Sequence, residues 1–76
     1  MAVPQSAIFA ALSECQVETR PRGRNFFIRN NRSGGRKAYL RRLSGPQEEY
    51  KIGEIRHLVS QLKLDPTIVK KHIPDL

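Results

Sequence analysis

The chain has 76 residues with a single cysteine, and 38% of its residues are apolar, so it can hold one small core with a net stability on the order of a few kcal/mol. One cysteine excludes an intrachain disulfide framework and a cysteine-based zinc site, and no apolar run approaches the roughly 18 residues of a membrane span. Fourteen Lys and Arg against seven Asp and Glu give a net charge of +7 at pH 7; the expectation is one basic, soluble, cytoplasmic domain over residues 1–76, without a leader segment and with no membrane partner.

The spacing predicts a first helix over residues 4–15. Pro4 suits a first helical position, and Ile8, Ala11, Leu12 and Cys15 recur at i, i+3, i+4 and i+7, with Phe9 widening the stripe. Cys15 ends that stripe as a small buried apolar residue; Glu14 and Glu18 nearby disfavour a thiolate. Residues 16–22 predict a short strand, and Pro21, which lacks an N–H, assigns it to an edge. Gly23 marks a turn. Asn25 to Asn30 predicts a strand, Asn31 to Gly35 a turn, and Arg36 to Leu43 the returning strand of a hairpin over about residues 25–43. Ser44-Gly45-Pro46 breaks the chain, and residues 47–51 are a loop or a short strand. Ile55, Leu58, Val59 and Leu62 form the apolar stripe of a second helix, from near Gly53 to near Lys63. Asp65 is a good N-cap and Pro66 a good first residue for a third, short helix to about His72, with Ile68, Val69 and Ile73 inward and Pro74 as its stop. The fold class is therefore α+β: a small antiparallel sheet of two to four strands with two or three helices packed on one face.

Charge is concentrated in one third of the chain. No acid occurs between Thr19 and Gln47, and that window holds Arg20, Arg22, Arg24, Arg29, Arg32, Arg36, Lys37, Arg41 and Arg42; the rest of the chain is net negative. Eight of the nine are arginine, whose planar fork matches phosphate and stacks on bases. Period-two alternation places Phe26 and Ile28 on one face of the hairpin with Ala38 and Leu40, and Phe27, Arg29, Lys37, Tyr39 and Arg41 on the other. Aromatics interleaved with cations suit nucleic acid, as stacking platforms beside phosphate contacts; Phe27 and Tyr39 equally suit a cross-strand pair that stiffens an exposed sheet. The nine cations with Phe27 and Tyr39 are the candidate nucleic-acid-binding residues. The expected partner is RNA or DNA, with an acidic protein as the alternative.

No catalytic motif stands out. His57 and His72 fall on helices without a second ligand at metal spacing, and Gly34-Gly35 reads as a turn rather than a phosphate cradle. No cofactor and no metal is expected.

Two resemblances add to this reading. The order helix–strand–strand–strand–helix with a basic sheet is similar to the small HicA toxin domains, which have the double-stranded-RNA-binding-domain fold. Residues Ala7 to Gln16 resemble that family's first helix, and Arg20-Pro21-Arg22-Gly23-Arg24-Asn25-Phe26 its Arg-x-x-Gly-Ser-His-aromatic segment. Lys51 to Leu58 resembles the start of its second helix, and Leu62 to Asp65 with the last helix its ending. The family's catalytic histidine maps onto Asn25, and an amide cannot serve as a general acid or base near neutral pH, so the resemblance implies the fold without the ribonuclease activity. The segment Leu58 to Ile73 is similar to a helix-turn-helix, with Leu58, Leu62, Leu64, Val69 and Ile73 at its apolar positions. It departs at Lys63, where the motif usually has glycine, and at Val59, bulkier than the usual alanine. This second resemblance implies Thr67, Lys70 and Lys71 on a recognition helix.

The sequence thus predicts a small non-catalytic nucleic-acid-binding domain acting through an Arg-rich hairpin. The alternatives are a HicA-like ribonuclease, a helix-turn-helix DNA-binding regulator, and a small inhibitor, phage-encoded or otherwise, of a nucleic-acid-processing complex.

Overall fold

Apolar stripes and turn residues become elements close to the expected bounds. The computed structural model describes residues 2–45 and 48–76, so the break expected at Pro46 and the loop expected from Gln47 lie partly outside the described residues. In chain order the elements are β1 (Ala2–Val3), α1 (Gln5–Glu14), β2 (Glu18–Arg22), β3 (Asn25–Asn30), a 3-10 turn (Asn31–Ser33), β4 (Arg36–Arg41), β5 (Tyr50–Lys51), α2 (Ile52–Leu62) and α3 (Pro66–His72). The fold is α+β. Strands β2, β3 and β4 form an antiparallel sheet in that order, and β1 pairs with β5 in a separate two-stranded sheet.

Helix α1 buries Ile8, Ala11 and Leu12. Pro4 stands one position ahead of its expected place, as the N-cap, and its carbonyl accepts from Ala7 and Ile8. Gln16, at φ 59°, turns the chain out of the helix in the left-handed region. Its N–H reaches the Ser13 carbonyl at 3.1 Å, which satisfies one of the helix's terminal acceptors.

The hairpin is pinned by Asn30. Its side-chain oxygen accepts from the Arg32 N–H, and its amide donates to the Leu62 carbonyl at 2.8 Å. Leu62 ends α2, so one buried amide closes the hairpin turn and satisfies a terminal carbonyl of the helix. Gly35 completes the turn at φ 74°, and a Cβ there would meet the Arg29 guanidinium at 3.1 Å. Strand β4 stops at Arg41, short of the expected Leu43; beyond the ladder, the Arg42 N–H reaches the Arg24 carbonyl at 3.0 Å.

Helix α2 starts at Ile52, where the Lys51 N–H donates to the Glu54 carboxylate at 3.0 Å. A lysine side chain has no acceptor, so only this back-reaching half of a capping box forms. Lys63 ends the helix at φ 55°. Asp65 then caps α3 by accepting the Thr67 N–H at 2.9 Å.

Phe26, Ile28, Ala38 and Leu40 on the inner face of the sheet join the helical stripes in one apolar cluster. The largest wholly buried side chain is Tyr50, whose hydroxyl donates to the Arg41 carbonyl at 2.8 Å. Burial pushes its phenol pKa up. Helix α3 rests mainly on α1, and α2 runs along β4. Among the described residues, no helix is long and apolar enough to cross a membrane.

Candidate nucleic-acid interface

The register of the sheet sets three cross-strand rows on its outer face. Glu18, Arg29 and Lys37 form one row; Arg20, Phe27 and Tyr39 the next; Arg22, Asn25 and Arg41 the third. Two aromatic rings therefore occupy the middle row with cations on three sides. Their centroids are 5.6 Å apart at an interplanar angle of 57°, a tilted pair within favourable aromatic range. The Arg22 guanidinium lies 5.8 Å from the Phe27 ring centre, within reach of the ring's negative face. Tyr39 is the one large hydrophobic residue exposed among those described, at 57%.

The face is wider than hairpin alternation alone suggests. Strand β2 adds Arg20 and Arg22, and it also adds the acid Glu18, which pairs with Arg20 at 3.0 Å. That exposed pair, two residues apart on one strand, contributes little stability. Arg29, Lys37 and Arg22 have no acidic partner among the described residues. Gly35 gives Arg29 the room to lie over the hairpin turn.

Arg41 differs from its neighbours. Its Nε and Nη2 donate to the two oxygens of Glu54 at 2.9 and 3.0 Å, Nη2 also reaches the Glu49 carbonyl at 3.3 Å, and its guanidinium lies 5.2 Å from the Tyr50 ring centre. The fork holds the Glu54 carboxyl below the usual carboxylate range, burial opposing and the Lys51 N–H assisting. Glu54 in turn raises the Arg41 pKa. Arg41, a candidate phosphate contact, is tied as a strut from β4 to the start of α2. A 13-residue separation hid this pairing from the sequence.

The remaining expected cations lie off the outer face. Arg24 is exposed in the β2–β3 turn. Arg32, on the 3-10 turn, hydrogen-bonds Gln16. Arg36 opposes Asn30 in the inner register but is exposed at the strand end. Arg42 lies 5.5 Å from the Phe26 ring centre and donates to the Gly23 carbonyl at 3.3 Å. They flank the face at its two ends rather than adding to it.

The helical half is organised differently. Lys71 and His72 on α3 both reach Glu14 on α1, the imidazole Nε2 at 2.9 Å. These contacts hold the Glu14 carboxyl below its usual range, with Lys71 the main cause. Leu58, Leu62, Leu64, Val69 and Ile73 are all buried, and Lys63 takes the left-handed turn where a helix-turn-helix usually has glycine. His57 is exposed on α2, and Cys15 is buried with its thiol pKa pushed up by desolvation. Among the described residues, no three His, Cys, Asp or Glu side chains gather as a metal site. The chain matches no family model, no curated protein and no solved structure.

Proposed function

We propose that this chain is a small, non-catalytic nucleic-acid-binding domain acting in the cytoplasm, which holds RNA or DNA on the outer face of its sheet. The observation that carries this reading is the Phe27–Tyr39 pair set among cations, with Tyr39 exposed on the outer face of the sheet. Arg22, Arg29 and Lys37 would contact phosphates, with Arg20 joining by exchanging Glu18 for the ligand. Phe27 and Tyr39 offer ring faces for stacking; their mutual contact leaves Tyr39 largely exposed. Arg24, Arg32, Arg36 and Arg42 extend the positive field along the strand. Asn25, where the HicA-like resemblance would put a catalytic histidine, carries an amide without acid–base capacity, so binding without RNA cleavage is expected.

A salt titration tests this. Each phosphate contact on duplex lowers log K by about 0.9 per unit log salt, so four to six contacts predict a slope of roughly −4 to −5. A slope shallower than about −1 removes backbone contact as the source of affinity and favours a protein partner.

A second reading rests on the α2–α3 turn. Lys63 in the left-handed region with five buried apolar residues around it meets the packing needs of a helix-turn-helix. Against it, α3 has seven residues, and Lys71 is engaged with Glu14.

A further inference from the structure

We propose that the cleft between β4 and α2 seats one unpaired base of a single strand whose backbone lies on the outer face of the sheet; this rests on the nucleic-acid reading above and narrows it to single-stranded ligands. The cleft follows from how the two elements meet. Glu54, His57 and Gln61 are spaced to share one side of α2, and Arg41, Tyr39 and Lys37 alternate along β4. The two ends of this contact are tied: Arg41 holds Glu54 at 2.9 and 3.0 Å, and the Gln61 amide donates to the Lys37 carbonyl at 3.3 Å. The middle is open. Tyr39 and His57 line one cavity of about 340 Å³ there, within the range of small-ligand sites.

The chemistry of the lining suits a flat heteroaromatic ring. Leu40 and Leu58, each 3% exposed, line it with apolar surface. Tyr39 and His57 bring two planar side chains, and neither makes a hydrogen bond among the described residues. Asn25 brings an amide with both donors and an acceptor, the complement of a base's polar edge. A ring held there remains joined to its sugar and phosphate, and the adjoining face is the cationic one. An occupant that is flat, polar at its edge and attached to an anionic chain is a nucleotide of a strand. A base inside a duplex stack cannot enter without being unpaired, which costs a few kcal/mol, so the cleft selects against duplex.

The test compares four labelled probes of equal phosphate number: oligouridylate, oligothymidylate, an abasic strand and a duplex. Wild type should bind a base-bearing single strand about 5- to 30-fold tighter than the abasic strand, in the range expected for a stacked base. His57→Ala, on an exposed residue of α2 that is none of the sheet's cations, should remove most of that preference and leave abasic binding unchanged. Arg29→Ala should weaken every probe. Preference for either sugar supports the proposal, because the ring chemistry is shared. Equal binding of base-bearing and abasic strands, duplex binding as tight as single-strand binding, or a His57→Ala loss equal on both strands overturns the cleft and leaves the backbone reading standing. Failure of every probe to bind overturns both.

Discussion

Phe26 and Phe27 are neighbours in sequence, yet they serve opposite sides of one sheet. Phe26 turns inward and meets the Phe9 ring edge-on, with centroids 4.9 Å apart. Phe27 turns outward to Tyr39, among guanidinium groups. The inner face buries Ile28, Ala38 and Leu40 with Asn30 as its one buried polar residue among those described, and the outer face mixes the ring pair and its cations with Glu18 and Asn25. A period-two backbone lets a six-residue strand carry both a core face and an exposed aromatic and cationic face. Substitutions on the two faces should therefore affect different measurements.

The largest expected effect is on the inner face. Ile28 is wholly buried, so Ile28→Ala should cost about 2–5 kcal/mol of folding stability, read from urea unfolding. The fraction that stays folded should bind nucleic acid with unchanged affinity. A cost under about 1 kcal/mol would show that the inner face is not the core it looks to be.

Next comes the outer face. Arg29→Ala with Lys37→Ala should lose about 1–3 kcal/mol of binding free energy in total, with stability within about 0.5 kcal/mol of wild type. Lys70→Ala with Lys71→Ala removes the same charge from α3, so a general field effect cancels between the pairs; it should lose less. If the α3 pair instead abolishes sequence-selective duplex binding, the sheet is scaffolding and the helix-turn-helix reading replaces it.

The smallest effect concerns the strut between the faces. Arg41 lowers the Glu54 pKa relative to an unfolded chain. That stabilisation is complete above the ordinary glutamate range and is lost as pH falls through the lowered value. Acidification should thus lower the urea midpoint, and Glu54→Gln should flatten part of that fall, Glu14 and Glu48 supplying the remainder. Coincident pH profiles for the two proteins would make the Arg41–Glu54 contact energetically empty.

Much of this architecture was legible because it is periodic. The stripes Ile8–Ala11–Leu12–Cys15 and Ile55–Leu58–Val59–Leu62 are buried as their spacing requires, and the alternation of the hairpin holds residue for residue. What escaped has no period. Ala2–Val3 and Tyr50–Lys51 pair over two residues each, too few to alternate, and Tyr50 shows nothing of its burial in an otherwise polar stretch. Glu18 and Arg20 reach the outer face through the register of β2, which Pro21 obscured. Lys63 and Gln16 occupy left-handed positions that sequence assigns to glycine. Of the candidate site, residue type singled out the ring pair and its cations; contacts in the fold decided which of those cations carry an acidic partner.

The sheet has two edges, and they are protected in different ways. Helix α2 lies along β4 and occupies one of its carbonyls through Gln61. Strand β2, at the other edge, has Pro21 as its fourth of five residues, which offers no N–H to an incoming strand, with Arg20 and Arg22 on either side. A second copy aligning its own β2 there would meet a broken ladder and like charges. Resistance to strand-to-strand aggregation is thus built into the arginines of the outer face, and high salt, which screens them, is the condition under which concentrated samples should first associate.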